Sequence, residues 1–358
     1  MFSLRDKQMA DDIITQIKKA NVNLRFMHVC GTHQDTLVKH GLDTLLQNCG
    51  ITIGQGPGCP VCVTTPKEIE EILLLVKTGK TIATFGDMIR VPGVTASLQQ
   101  MKTEGCDVKT VYSIEDAVQL ASQHKDKEVV FMAVGFETTA PTTASVLLQQ
   151  PPENFSILSC HRLIPPALQA ILSMGELKID GFIEPGHVST IIGIKPYESI
   201  SKHYGVPQVI AGFEPLDLLM GVWMLVQQVH QGKAEVQNEY TRAVKPEGNV
   251  IAQTMLKQVF KPADVKWRGF PVIQKSGLVL RKEFDQYDAR KKYEEELQTI
   301  ASQDIPDPLG CMCGEVLRGI ISSKECPLFG KGCTPETPVG PCMVSVEGSC
   351  HIEHRYQQ

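Results

Sequence analysis

Residues 24–62 read LRFMHVCGTHQDTLVKHGLDTLLQNCGITIGQGPGCPVC. Two strand-sized apolar runs, 24–29 and 51–54, flank a helix-like segment, and each run stops at a cluster of Cys, Gly and polar residues. Strand, helix and strand at this spacing make a βαβ unit, which implies a parallel sheet. Outward from this stretch the rhythm continues, with apolar runs at 81–85, 108–112, 129–134, 155–158, 181–183 and 208–211. Helix starts fall between them. Thr65, Pro66 and Glu68 supply a cap, a first-turn proline and a capping-box acid before 69–76, and Ser113 with Asp116 forms a second start. The predicted fold is α/β: two Rossmann-like parallel-sheet domains of about four strands each, 1–122 and 123–232. A helical connector and a mainly irregular C-terminal domain follow at 233–358, where the strand rhythm gives way to charged sequence and then to Cys, Gly and Pro.

Composition agrees with this size and class. At roughly 150 residues per domain, 358 residues make two or three domains. The chain is 42% hydrophobic and 21% charged, with 29 Gly and 22 Pro, which excludes disordered, collagen-like and coiled-coil chains. A net charge of -5 without a Lys/Arg run argues against a nucleic-acid partner. The N-terminus lacks the apolar core of a secretory signal and reads as an amphipathic helix. The most apolar window, 216–226, is too short to span a bilayer. The expectation is therefore a cytoplasmic protein, where structural disulfides are rare, so that 12 cysteines point to metal binding or redox chemistry.

In open α/β sheets ligands bind beyond the carboxyl ends of the strands, and the chemistry-bearing residues collect there. Cys30 sits at a helix start, where backbone N–H groups favour a thiolate, with His33 beside it. A metal ligand or nucleophile fits that setting, and so does a buried structural thiol. Cys59 and Cys62 form C-x-x-C in a Gly/Pro loop, a spacing that suits a reversible disulfide or half of a zinc site. No second pair lies near in sequence, which favours the redox dithiol. Asp87, Glu137 and Glu214 each emerge where a strand stops, in positions that equally suit helix capping. His187 stands at a Pro-Gly turn. His161 is a weaker candidate of the same kind, and Cys49 and Cys106 read as structural. The phosphate-binding loop, the dinucleotide fingerprint and the nucleophile elbow are all absent.

Six cysteines fall in the tail: Cys311, Cys313, Cys326, Cys333, Cys342 and Cys350. Four thiolates could hold an iron–sulfur cluster or a zinc ion, leaving two in either case, so counting does not separate the metals. A cluster with an adjacent dithiol uses all six. Bound metal would stabilise a segment too short and too rich in Gly and Pro to build a large core.

Taken together, Cys30-Gly31-Thr32-His33, GPGCPVC at 56–62, FGDMIRVPG at 85–93, GFETTAPTTA at 135–144, PGHVS at 185–189, AGFEPLDLL at 211–219 and the CGEV, CPLFG and EGSC segments resemble the HypD family of hydrogenase maturation proteins. The resemblance runs over nearly the whole chain. It implies a scaffold with redox activity on which the Fe(CN)2(CO) unit of NiFe hydrogenases is assembled. The implied partners are a HypC-type chaperone and HypE, which supplies cyanide made from a carbamoyl group provided by HypF. Carried over by position, Cys30 would share the iron with the partner's N-terminal cysteine, supported by His33, with Cys59 and Cys62 as the redox pair. Asp87, Glu137, His187 and Glu214 match polar positions of the family pattern. Cys313, Cys326, Cys333 and Cys350 would hold a 4Fe-4S cluster, with Cys311 and Cys342 as an extra pair resembling the dithiol of ferredoxin:thioredoxin reductase. The rival readings are a self-contained dithiol/disulfide oxidoreductase and a zinc-stabilised interaction module.

Overall fold

The computed structural model describes residues 6–356. All eight expected strands are present: β1 Leu24–His28, β2 Ile51–Gln55, β3 Thr81–Thr84, β4 Val108–Thr110, β5 Val129–Gly135, β6 Phe155–His161, β7 Gly181–Pro185 and β8 Gln208–Ala211. Three more, β9 Val236–Asn238, β10 Phe260–Lys266 and β11 Val272–Leu280, lie in the stretch read as a helical connector. Two parallel sheets result, ordered β2-β1-β7-β8-β9 and β4-β3-β5-β6, with β10 and β11 as an antiparallel hairpin.

The two sheets are Rossmann-like, but they are not successive blocks of chain. The chain lays down β1 and β2, crosses to build the whole second sheet, and returns to the first at β7. The boundary expected at residue 122 thus falls inside the second sheet, between β4 and β5, and both 1–122 and 123–232 supply strands to both sheets. Apolar periodicity reveals that a strand exists and not which strand lies beside it.

Burial explains the layers. β5 is buried at every position, as a parallel strand covered on both faces must be. Helix Pro215–His230 packs Leu218, Leu219, Val222 and Leu225 against Phe26, Ile183 and Val209 of the first sheet. Helix Pro66–Lys77 begins with the expected Thr65–Glu68 capping box and buries Ile69, Ile72 and Leu73. Ser113 and Asp116 cap Ile114–Gln123 in the same way. The N-terminal amphipathic helix is Lys7–Ala20; the first five residues of that reading lie outside the described residues.

The hairpin packs on the second sheet, where Phe260, Leu278 and Leu280 join Phe131, Phe155 and Ile157 in one core. Ser159 Oγ donates to the Leu278 carbonyl at 2.7 Å, and Leu163 N–H donates to that of Ser276 at 2.9 Å. Most of β10 is exposed, so its polar face reads in sequence as a charged linker. Beyond it lie the expected charged helical segments, Ala289–Lys292 and Glu294–Ala301, and then a tail with only short helices, among them Cys313–Leu317, Pro341–Val344 and Ser349–Arg355. Among the described residues no helix is long and apolar enough to cross a membrane.

Candidate functional site

The strand order places two crevices. A crevice opens beyond the strand ends where connections leave in opposite directions. In the first sheet that point lies between β1 and β7, and in the second between β3 and β5. Cys30 follows β1, His187 follows β7, Asp87 follows β3 and Glu137 follows β5. Both switch points therefore carry the residues that the sequence singles out.

Cys30 caps helix Gly31–Lys39 and is 8% exposed. Burial pushes its thiol up to about 11, with the Glu347 carboxylate adding to the shift and the N–H groups of His33 and Thr32 opposing it. The helix start thus does not win over desolvation, and the sulfur keeps its proton unless a metal cation displaces it. Two glycines permit the packing around it. A Cβ on Gly58 would lie 2.1 Å from the Cys30 nitrogen, and one on Gly31 would lie 2.5 Å from the Glu347 carbonyl oxygen.

His33 is fully buried, with Nε2 at 2.9 Å from the Gly212 carbonyl and 3.2 Å from that of Ala211. Carbonyls only accept, so Nε2 carries the proton and Nδ1, which has no partner, presents a lone pair. Burial, with the neighbouring His28, pushes its pKa down to about 3, so the ring is neutral. Phe213 lies between the two histidines, its ring centroid 5.1 Å from that of His33 and 4.0 Å from that of exposed His187.

Cys59 and Cys62 are joined in a disulfide, and both are wholly buried. Asp87 reaches the tail, accepting from Ser345 Oγ at 2.9 Å. Glu137 accepts from Ile164 N–H at 2.9 Å through Oε1, while Oε2 has no partner; burial pushes this carboxyl up to about 8. It also lines a cavity of about 420 Å³ that is otherwise mostly apolar. Glu214 turns out to be a capping residue, closing a capping box with Asp217 at the start of helix Pro215–His230. His161 is buried with Nε2 3.1 Å from Thr143 Oγ1.

In the tail, Cys311, Cys313, Cys326, Cys333 and Cys350 line one small cavity. The Cys311 and Cys313 sulfurs are 3.3 Å apart, over a Gly340 whose Cβ would lie 2.6 Å from each. Cys342 is wholly buried and shares hydrogen bonds with Cys313 and Cys350. Cys311 and Cys342 thus both adjoin Cys313. Thiol hydrogen bonds accepted from Cys311 and Cys342, with Arg268 nearby, hold the Cys313 thiol well below its ordinary value. Among the described residues no group of three His, Cys, Asp or Glu side chains could hold a single metal ion. The space that the five cysteines line is only about 10 Å³.

A family profile, HypD, described as "Hydrogenase formation hypA family", matches residues 6–357. The chain belongs to the HypD family. It is 48% identical to the "Putative hydrogenase expression/formation protein" of Methanocaldococcus jannaschii over 370 residues, covering 100% of both chains. It is 40% identical over 367 residues to the "Hydrogenase maturation factor HypD" of Cupriavidus necator, covering 98% of this chain and 95% of that one. The factor of the same name from Escherichia coli is 42% identical over 340 residues, covering 94% and 90%. A HypD-family hydrogenase maturation factor therefore carries this site, and five of its motif blocks, at 30–33, 56–62, 85–93, 135–144 and 185–189, gather about the two switch points.

Sequence reasoning missed three residues of this HypD-family site. Arg268 is buried, donates from Nε to the Thr64 carbonyl at 2.9 Å and pairs with Asp307, facing the tail cysteines as a fixed cation. Glu184 is wholly buried on β7 with neither oxygen partnered, and burial pushes its carboxyl well up. His28 stands inside the apolar run of β1. An ionisable residue within such a run, as His28 is, or directly at its end, as Glu184 is, is itself a signal; Arg268 offered none.

Proposed function

We propose that this HypD-family factor is the scaffold on which the Fe(CN)2(CO) unit of NiFe hydrogenases is assembled, with the iron held at Cys30 jointly with a cysteine of a HypC-type partner. The observation that carries this reading is the continuity of sulfur from the first switch point into the tail. The Cys30 loop rests on Gly58, and the Cys59–Cys62 disulfide follows at once. Cys62 Sγ lies 4.0 Å from the Pro341 carbonyl, and the next residue, Cys342, hydrogen-bonds to Cys313 and Cys350 of the cysteine-lined cavity.

Thiolate is the soft donor that low-spin ferrous iron with cyanide and CO ligands requires. A 4Fe-4S cluster on Cys313, Cys326, Cys333 and Cys350 suits this donor set, since four thiolates beside the Arg268 cation match an anionic cluster better than a single zinc ion, and the cavity of about 10 Å³ would have to open to admit it. Such a cluster supplies single electrons when bound. The Cys59–Cys62 pair, standing between it and Cys30, is placed to store reducing equivalents. Neutral His33 orients the Cys30 loop through the Ala211 and Gly212 carbonyls, and protonated Glu137 offers a hydrogen-bond donor at the second switch point. Cyanide arrives from HypE, with HypF upstream. The complete burial of Cys59 and Cys62 weighs against a self-contained oxidoreductase acting on external disulfides, because attack requires access to a sulfur.

Metal and acid-labile sulfide analysis of anaerobically purified protein, co-expressed with a HypC-type partner, HypE and HypF, tests this. The expected result is cluster iron and sulfide plus one further iron, which Cys30→Ala removes while leaving the cluster absorbance. Retention of that iron in Cys30→Ala refutes the assignment, and dithiol turnover without any partner favours the oxidoreductase.

A further inference from the structure

His28 belongs to none of the motif blocks, yet it is fully buried two residues before Cys30. Its Nδ1 lies 3.4 Å from the Cys30 backbone nitrogen and accepts that N–H, so Nε2 carries the ring proton. Nε2 meets Gln34 Oε1 at 2.7 Å, and Gln34 Nε2 donates to Glu353 Oε1 at 3.0 Å. Each donor in this chain points toward Glu353, whose other oxygen lies 3.0 Å from Lys324 Nζ. A chain of hydrogen bonds ending on a carboxylate is strengthened along its length.

The two ends of the chain belong to two thiol-bearing helices. Cys30 caps Gly31–Lys39, with Gln34 about one turn in. Cys350 is the second residue of Ser349–Arg355, and Glu353 lies three residues on. Tyr356 Oη adds a further tie, donating to Asp35 Oδ1 at 2.9 Å. We propose that His28, Gln34 and Glu353 form a positioning relay that fixes the Cys30 loop to the helix carrying Cys350, so that order at the tail cysteines sets how the Cys30 thiol is presented. The consequence for iron assembly rests on the reading of Cys30 given above; the mechanical coupling does not, and its test needs no iron.

The rate of Cys30 alkylation by iodoacetamide, followed by mass spectrometry in the anaerobic full-length protein, reports its presentation. Cys106, at the far edge of the second sheet beside β4, is the internal reference. Gln34→Glu sets two carboxylates face to face and is expected to raise Cys30 alkylation about tenfold through loss of a charge-assisted hydrogen bond. Adding Glu353→Gln restores an amide–carboxylate pair, now with the carboxylate at position 34 accepting from both sides, and returns the rate to near the starting value. Cys350→Ser raises the rate in the otherwise unaltered protein and adds nothing on top of Gln34→Glu. An unchanged rate in Gln34→Glu, failure of the double exchange to rescue, or additivity with Cys350→Ser overturns the relay. A parallel rise at Cys106 without rescue, which marks general loosening, also counts against it. Absence of the extra iron in co-expressed protein whose relay variants behave as expected refutes the assembly reading and leaves the relay standing.

Discussion

Replacing Gly58 with alanine tests how the two thiol loops are held together. The added Cβ would lie 2.1 Å from Cys30 N, 2.2 Å from the Val29 carbonyl carbon and 2.4 Å from the Val29 oxygen, all backbone atoms that no side-chain rotation can move. Ordinary contact distances require the loops to part by roughly 1.3 Å or more. Overpacking of this kind costs about 1–3 kcal/mol where side chains can yield, and here only backbone can, so a destabilisation of about 3 kcal/mol is expected. Separation would also break the 3.3 Å hydrogen bond from Gly31 N–H to the Gly58 carbonyl and carry Cys30 away from the Cys59–Cys62 disulfide. Gly86→Ala is the control. Its Cβ meets nothing closer than Thr110 Cγ2 at 3.7 Å, and a change within about 0.5 kcal/mol is expected. Urea unfolding followed by far-UV circular dichroism measures both variants, and mass-spectrometric alkylation reads Cys30 in the same samples. Equal stability of Gly58→Ala and Gly86→Ala, with Cys30 alkylation unchanged, would refute the argument that the loops meet backbone to backbone.

Other predictions follow from buried charge and from the tail. Glu68→Ala strands Arg162, 2% exposed and paired at 2.7 Å, and should cost about 3–5 kcal/mol, whereas loss of the surface pair Lys109–Asp107 through Lys109→Ala should cost about 1 kcal/mol or less in the same denaturation assay. Glu137 is protonated in both folded and unfolded chains below its ordinary value of 4.5, whereas between there and about 8 only the unfolded chain loses the proton. Stability should therefore fall by about 1.4 kcal/mol per pH unit from this group across that window and level off above it, a slope that pH-dependent unfolding should find missing in Glu137→Gln. Chelating the proposed cluster should raise protease sensitivity across 304–356 while the far-UV signal of the two sheets persists; uniform protection after complete metal removal would contradict a metal-held tail.

The strand inventory was legible because parallel strands buried on both faces read as apolar runs, and β5 illustrates this at every position. Strand neighbours were not legible: the return of the chain from β6 to β7 in the first sheet leaves no local trace, since the partners are set by packing across more than a hundred residues. The hairpin of β10 and β11 was hidden by its exposed face, which carries Lys261, Asp264 and Lys266. At the site, the positions of Cys30, Asp87, Glu137 and His187 at strand ends were readable. What they meet was not, because Ser345 and Glu347 come from the tail and Gly212 from β8's far end. Glu214 shows the reverse, a residue whose cap-and-proline surroundings already offered the capping role that the structure gives it.

Infrared spectroscopy of the anaerobically purified complex with a HypC-type partner, after co-expression with HypE and HypF, looks for the assembled unit itself. Metal-bound CN and CO stretches that vanish in Cys30→Ala, while the cluster absorbance remains, are the predicted result. Bands that persist in Cys30→Ala, or their absence from the unaltered complex with partner and cluster both present, would contradict the placement of iron assembly at Cys30.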